Sequence, residues 1–223
     1  MSPTPSFSWR AVVQGLSQPG PPPTPLAGRA FILLAFCLAA IVVLVQLGHA
    51  WHDDPHWFFS ERKAGTYLSV LNLVATGVVA AAIARRLRGT PSARFWWVTT
   101  VGFVWLGCDD LFVLHERVDR GLVALLGLDP DAPITDHLDD ATVAVYGVAA
   151  LALAYAHRAH LAVFRWTILI LALAFPLFAW MAVADVLHLS KTLEDVLKVV
   201  AGTLILVGFL AAWLQLAIPG DQP

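Results

Sequence analysis

In residues 107–117 (Gly-Cys-Asp-Asp-Leu-Phe-Val-Leu-His-Glu-Arg), two adjacent carboxylates are separated from a His-Glu pair by four residues. They end a run of about twenty mostly apolar residues, the length that a helix needs to cross a bilayer. An ionisable side chain in such a run usually faces the bundle interior and marks a functional site. On one continuous helix Asp109 and Glu116 lie about 20° apart, with Asp110 and His115 on the flanks. This stretch is therefore the first candidate site.

More acids and histidines fall at the same ends of other predicted helices. Asp185 and His188 share a face near the end of the fifth helix, and His137 and Asp140 share one at the start of the fourth. Capping explains Asp140 as well as a site does, because acids stabilise the positive end of a helix. The sequence thus predicts one acidic, histidine-containing end of a helix bundle.

A stripe of small and polar residues runs along the second predicted helix. Glu61, Gly65, Ser69, Asn72 and Thr76 follow one another at steps of four, four, three and four, which places them on one face. Such stripes usually pack against another helix. The amide near mid-membrane also needs a partner, so we expect the stripe to line the space that the acids of the third helix face.

The composition predicts an all-α, polytopic membrane protein. The 223 residues are 58% hydrophobic and 13% charged, where a soluble domain is about one quarter charged. We predict a Pro-rich cytoplasmic tail (1–28), a six-helix transmembrane domain (29–218) and a short tail (219–223). The six spans lie near 30–49, 65–84, 95–115, 139–156, 164–188 and 195–217. Two cysteines, Cys37 and Cys108, differ in depth too much to form a disulfide.

Charge asymmetry predicts the orientation, with both termini inside. With that topology the cytoplasmic segments carry one acid, Asp221, and eight arginines: Arg10, Arg29, Arg85, Arg86, Arg88, Arg94, Arg158 and Arg165. The pattern follows the positive-inside rule and places the acidic end on the extracytoplasmic side of a plasma (bacterial inner) membrane. Nothing in the charge pattern predicts a nucleic-acid partner, and the bilayer is the expected one.

So many acids at one end of the bundle would repel one another, and a bound divalent metal is the simplest way to compensate that repulsion. Mixed His and carboxylate ligands suit Zn, Fe or Mn, and carboxylates alone suit Ca. The expected ligands are Asp109, His115, Glu116, Asp140, Asp185 and His188. The expected general base is Asp110, Glu61 or His137.

Three functions fit these residues. The first is a metal-dependent hydrolase that acts on a lipid or amphiphile at the outer leaflet. The second is a transporter or channel in which the same acids bind protons or a divalent cation. The third is non-catalytic: a sensor, an assembly factor, or a metal-binding or haem-binding subunit. Haem would be held by two of four histidines, His49, His115, His137 and His188.

The chain also resembles known groups of membrane proteins. The D-D-x4-H-E run, the earlier Ser60-Glu61 and the later Glu194-Asp195-x2-Lys198 resemble uncharacterised bacterial multi-pass proteins over roughly residues 55–210. More distantly, acids and histidines around one membrane face resemble the CREST hydrolases, which include the alkaline ceramidases. That resemblance implies zinc and amide hydrolysis. The chain departs from the CREST pattern because it lacks Ser-x3-His and its one His-x3-His, His52 and His56, lies in a predicted loop.

The sequence finally predicts that acids and histidines from several helices converge on one point. Asp109 and Asp185 should point into one outward-open cavity, because neither has a local cap or an i,i+4 base and neither can face lipid cheaply. Glu116, His188 and Glu61 should join them within about 8 Å of a common centre. Metal ligands and the groups that orient them would lie within such a distance.

Overall fold

The computed structural model describes residues 24–59, 63–129, 135, 138–186 and 190–217, which form eight α-helices and no strand. The helices are α1 (Thr24–His52), α2 (Ala64–Arg86), α3 (Ser92–Phe112), α4 (Leu114–Leu126), α5 (Leu138–Ala156), α6 (Arg158–Leu161), α7 (Arg165–Val186) and α8 (Lys191–Ala217). The predicted all-α class is confirmed for this part of the chain.

Several of these helices are suited to a bilayer. Ile32–His52, Ala64–Arg86 and Lys191–Leu216 are long and apolar enough to cross one, and α3 with α4 forms a fourth candidate bent by 74°. Shorter apolar segments, Ala144–Ala156 and Arg165–Met181, lie in α5 and α7. The described residues therefore contain three candidate spans, or four if the bent pair is one span.

The start of α1 differs from the sequence-based expectation. α1 begins at Thr24, inside the predicted tail, with Pro25 in its first turn. Proline is tolerated there because a first-turn N–H has no helical acceptor. α2 begins at Ala64 after the N-cap residue Lys63, close to the predicted start of the second span, and Glu61 lies outside the described residues.

The central helix of the bundle is α8. It packs against α1, α2 and α7, and α2 also packs along α3. Gly107 allows the last of these contacts, because a Cβ atom at this position would lie 2.9 Å from Cγ2 of Val74. Small residues at membrane helix interfaces commonly serve this purpose.

The end of the bundle next to the α2–α3 turn has an apolar interior. The Trp96 ring makes edge contacts with Phe164 and Phe209, each at 5.5 Å between ring centroids. The buried cluster consists of Ala80, Ile83, Ala84, Phe95, Trp96, Leu161, Phe164, Phe209 and Ala212. All nine side chains are apolar, so dense packing closes this half of the bundle.

The polar stripe of α2 is buried, and its amide finds its partner on α8. Asn72 Nδ2 donates to Thr203 Oγ1 at 3.0 Å, and Thr203 Oγ1 donates to the carbonyl of Val199 at 2.8 Å. The thiol of Cys37 lies 2.8 Å from the same hydroxyl. These bonds join α1, α2 and α8. Packing of a polar helix face therefore accounts for Gly65, Ser69, Asn72 and Thr76, all of which are buried.

The two cysteines are both free, as predicted, and Cys37 is buried.

We expect Thr203→Val to lower the free energy of unfolding by about 1 kcal/mol, because the amide of Asn72 and the thiol of Cys37 lose their shared partner. The measurement is reversible unfolding in mixed micelles. Thr100→Val is the matched control, because the Thr100 hydroxyl bonds only the carbonyl of Trp96 in its own helix. Equal effects of the two substitutions would contradict an inter-helix role for Thr203.

Candidate functional site

The helix that carries the two adjacent carboxylates breaks at Val113. α3 ends at Phe112, and Val113 is buried in the left-handed conformation with φ 53° and ψ 49°. For an L residue this conformation costs about 1–2 kcal/mol, and it is rare for a β-branched side chain. The predicted span through residue 115 is therefore wrong at its end. Strained residues of this kind tend to cluster at functional sites.

Asp109 bonds both sides of the break. Its Oδ1 accepts the backbone N–H of His115 at 2.8 Å, and its Oδ2 lies 3.1 Å from His115 Nδ1. The carboxylate is 4% exposed. It satisfies one of the N–H groups that a helix start leaves without an acceptor. A carboxylate at Nδ1 favours the proton on that nitrogen and leaves Nε2 with a lone pair for a proton or a metal.

Two assumptions about Asp109 are thereby corrected. Asp109 has a local capping role after all, at the first turn of α4. It also does not share a helix face with Glu116, because the two residues belong to helices bent by 74° at Val113. Glu116 instead has its carboxylate 3.9 Å from the guanidinium of Arg120. Spacing of seven along an unbroken helix was the wrong geometry for this segment.

Asp110 forms an ion pair with a different helix. Its Oδ1 accepts a hydrogen bond from Lys198 Nζ of α8. The Asp110 side chain is 9% exposed, and its Oδ2 is buried with no hydrogen-bond partner among the described residues. The lysine thus compensates a carboxylate within the bundle, and one oxygen of that carboxylate stays available to a proton donor.

A second His–carboxylate pair lies one turn away on α8. His56 Nε2, in the loop after α1, lies 2.7 Å from Asp195 Oδ2. Asp195 interacts electrostatically with both Lys198 and Asp110. The loop, α3 and α8 are therefore connected by one chain of ionisable groups. The sequence analysis did not include Asp195 among the candidate site residues, although its spacing of three from Lys198 places both on one face of α8.

Other predicted site residues lie outside what the structure describes. Glu61, His137 and His188 are not among the described residues, and for Asp140 and Asp185 the helical backbone is described without the side chain. The predicted meeting of Asp109 with Asp185 therefore stays a prediction. Within the described ranges, no three His, Cys, Asp or Glu side chains form a group that would hold a metal ion.

The histidines elsewhere in the described chain have other surroundings. His52 stacks on Trp57 at 3.7 Å between ring centroids, as expected of residues in an interfacial belt. His157 lies at the opposite end, between α5 and α6, where burial and then the nearby His160 lower the pKa of His157. A neutral ring is thus favoured there in the folded state.

Comparison with known proteins gives one match. The family described as "Domain of unknown function (DUF8692)" matches residues 53–213, which include His56, the Asp109–His115 dyad and Lys198. No curated protein and no solved structure matches the chain.

We expect Val113→Gly to be more stable than Val113→Ala by about 1 kcal/mol, because glycine adopts positive φ without strain. Both variants lose the two γ-methyl groups of valine and glycine also lacks the Cβ, so a more stable glycine variant reports the backbone term. Thermal unfolding in detergent measures it. At the exposed position Val101, in the middle of α3, the order should reverse, since alanine is the better helix former. The same order at both positions would contradict the break at Val113.

We expect Lys198→Met to destabilise the protein by about 2–3 kcal/mol, because it leaves the Asp110 carboxylate buried without its cation. Adding Asp110→Asn should recover much of that loss, since the uncompensated charge is removed. Denaturant titration of the two single variants and the double variant measures the coupling. Lys191→Met, at the exposed start of α8, should have no effect. Additive losses for Asp110 and Lys198 would contradict the ion pair.

Proposed function

We propose that this chain, which belongs to the DUF8692 family, is a membrane-embedded hydrolase that cleaves a lipid or other amphiphile at the outer leaflet. The observation that carries the proposal is the Asp109–His115 dyad. A buried carboxylate that holds Nδ1 of an imidazole at a strained helix break is the arrangement that orients histidines for catalysis or metal binding.

The proposed topology has six spans with both termini inside. α1, α2, α3, α5, α7 and α8 are the crossing helices, in a plasma (bacterial inner) membrane. The positions of the arginines support this orientation: Arg85, Arg86 and Arg94 flank the α2–α3 turn, and Arg158 begins α6 at the same end. The dyad and the Asp110–Lys198 pair lie at the other end, which the positive-inside rule assigns to the outer side.

A divalent metal fits the donor chemistry of this end in part. His115 supports it, because Nε2 has no partner within the described part of the chain, whereas both oxygens of Asp109 are taken by His115. Asp109 therefore acts as the orienting group and His115 as the ligand, with Glu116, Asp140, Asp185 and His188 as further candidate ligands. When bound, Zn, Fe or Mn would supply Lewis acidity to the scissile carbonyl and to water; Ca would require mostly oxygen donors.

The protein groups have separate roles in the proposed reaction. Asp110 accepts the proton of the attacking water at Oδ2, while Lys198 holds Oδ1 and fixes the carboxylate. Hydrolysis then adds that water across an ester or amide bond, and the proton passes to the leaving oxygen or nitrogen. Glu61 and His137 are the alternative bases. Amide cleavage of this kind is also what the resemblance to the CREST hydrolases implies.

The apolar half of the bundle favours an enzyme over a channel. The polar groups of α2 end at Thr76, and the cluster around Trp96 fills the interior beyond them. A conducting pore would need a polar or wet path through that region. A site that serves one leaflet needs none, so the closed inner half suits hydrolysis at the outer surface.

The test begins with metal content. Elemental analysis of the purified protein in nanodiscs should give about one divalent ion per chain after loading with Zn, Mn or Fe, and His115→Gln should abolish it. Asp109→Asn should weaken metal affinity by about 10–100-fold, because the ring loses its orienting carboxylate. His160→Gln, at the opposite end of the bundle, is the matched control and should leave metal content unchanged.

Activity provides the second readout. Against a panel of fluorogenic ester and amide amphiphiles, Asp110→Asn should reduce kcat by about 10²–10⁴-fold while the metal is retained, as expected for loss of a general base. Absence of stoichiometric metal under all three loadings, or full metal content in His115→Gln, would overturn the proposed metal site.

A further inference from the structure

We infer that α4 is an interfacial helix. It lies parallel to the extracytoplasmic surface of the membrane, with its apolar face at the boundary between headgroups and acyl chains, and it holds His115 at that surface. This inference concerns the partner of one helix and is independent of the proposed reaction. It starts from a length. The 21 residues of α3 rise about 31 Å, enough to cross the hydrocarbon core by themselves. α4 is therefore not needed to complete that span.

The bend then sets the direction of α4. At Val113 the helix axis turns by 74°. If α3 runs close to the membrane normal, an axis bent by this angle runs close to the membrane plane. The helix stops after Leu126 at Gly127, whose φ is +62° and whose N–H bonds the carbonyl of Ala124. α4 is thus a short, separate element with a defined start and end at one membrane surface.

The two faces of α4 differ strongly in polarity. Leu114, Val118, Leu122, Leu125 and Leu126 recur at helical spacing along one side. The other side carries the charged residues Glu116, Arg117 and Arg120, and Asp119 lies at the boundary between the two sides. A helix of this composition with low overall hydrophobicity is typical of one that lies in a membrane interface.

The apolar face is uncovered by the described part of the protein. Leu125 is 81% exposed and Leu126 is 64% exposed, and Val118 and Leu122 are also exposed. Four aliphatic side chains on one side of a single helix would cost several kcal/mol in water. An environment of acyl chains removes that cost.

The surface beside α4 identifies lipid as the occupant. Phe112, the last residue of α3, is exposed immediately before the bend, and Trp105 is exposed two turns earlier on the same helix. Phe112 therefore connects the exposed apolar surface of α3 to that of α4, with no charged residue at the junction. Arg120 has an exposed side chain that can reach phosphate groups while its helix stays in the boundary.

A consequence follows for the dyad. His115 lies in the first turn of α4, and its position against Asp109 depends on the direction that α4 takes after Val113. Lipid contact along Leu122 and Leu125 stabilises that direction. An amphiphile diffusing in the outer leaflet would then meet the imidazole directly, without first leaving the bilayer.

The experiment measures the depth of single positions on α4. Cys37 and Cys108 are replaced by alanine, and a bimane fluorophore is attached to Leu125→Cys or, as matched control, to Arg120→Cys on the charged face. The proteins are reconstituted in phosphatidylcholine nanodiscs. Quenching is compared between aqueous iodide and lipids with a nitroxide at carbon 5 or carbon 12 of the acyl chain.

An interfacial helix gives opposite patterns at the two positions. The label at 125 should be quenched at least about threefold more by the carbon-5 nitroxide than by iodide, and the label at 120 should show the reverse. Equal iodide quenching at both positions would overturn the inference, since α4 would then lie in water. Stronger quenching of both labels at carbon 12 would overturn it as well, because α4 would be part of the span. Protection of position 125 from every quencher would show that protein covers this face, and this outcome would also overturn the inference. Since activity is not measured, failure here is distinct from failure of the proposed hydrolase.

Discussion

Polar groups inside the bundle obtain their hydrogen bonds and counter-charges from α8. Thr203 serves the amide of Asn72, Lys198 serves the carboxylate of Asp110, and Asp195 serves His56. In hydrocarbon an unpaired polar group costs several kcal/mol. The burial of α2 and of the end of α3 therefore requires these bonds. Because these three partners lie on one helix, α8 also sets how α1, α2 and α3 are placed around it.

The two ends of the bundle are built on different principles. Around Trp96 the interior is filled by aromatic and aliphatic side chains, and the indole N–H of Trp96 is the one polar side-chain group in this cluster. At the other end, carboxylates pair with Lys198 and with histidines, and one oxygen of Asp110 keeps no partner among the described residues. The buried carboxylates Asp109 and Asp110 thus lie at one end of the described bundle, and that asymmetry is the basis for proposing chemistry at a single leaflet.

The break at Val113 links the site to the membrane surface. One strained residue ends α3, turns the chain by 74° and brings His115 back onto Asp109. A smooth helix would have carried the histidine further out, one to two turns beyond the carboxylate. The Asp109 bonds to His115 offset part of the cost of the left-handed backbone, so the dyad and the bend stabilise each other.

The sequence by itself determined the all-α class, the apolar runs and the burial of the α2 stripe, because hydrophobicity and helical spacing are local properties. It also singled out Asp109, Asp110 and His115 as a candidate site, because ionisable residues within an apolar run are costly wherever the fold places them. Only the tertiary structure decided where α3 ends and which partners these residues take. The bend at Val113 is maintained by bonds across it, and Lys198 meets Asp110 through the packing of two helices distant in sequence. Spacing along one helix contains neither piece of information.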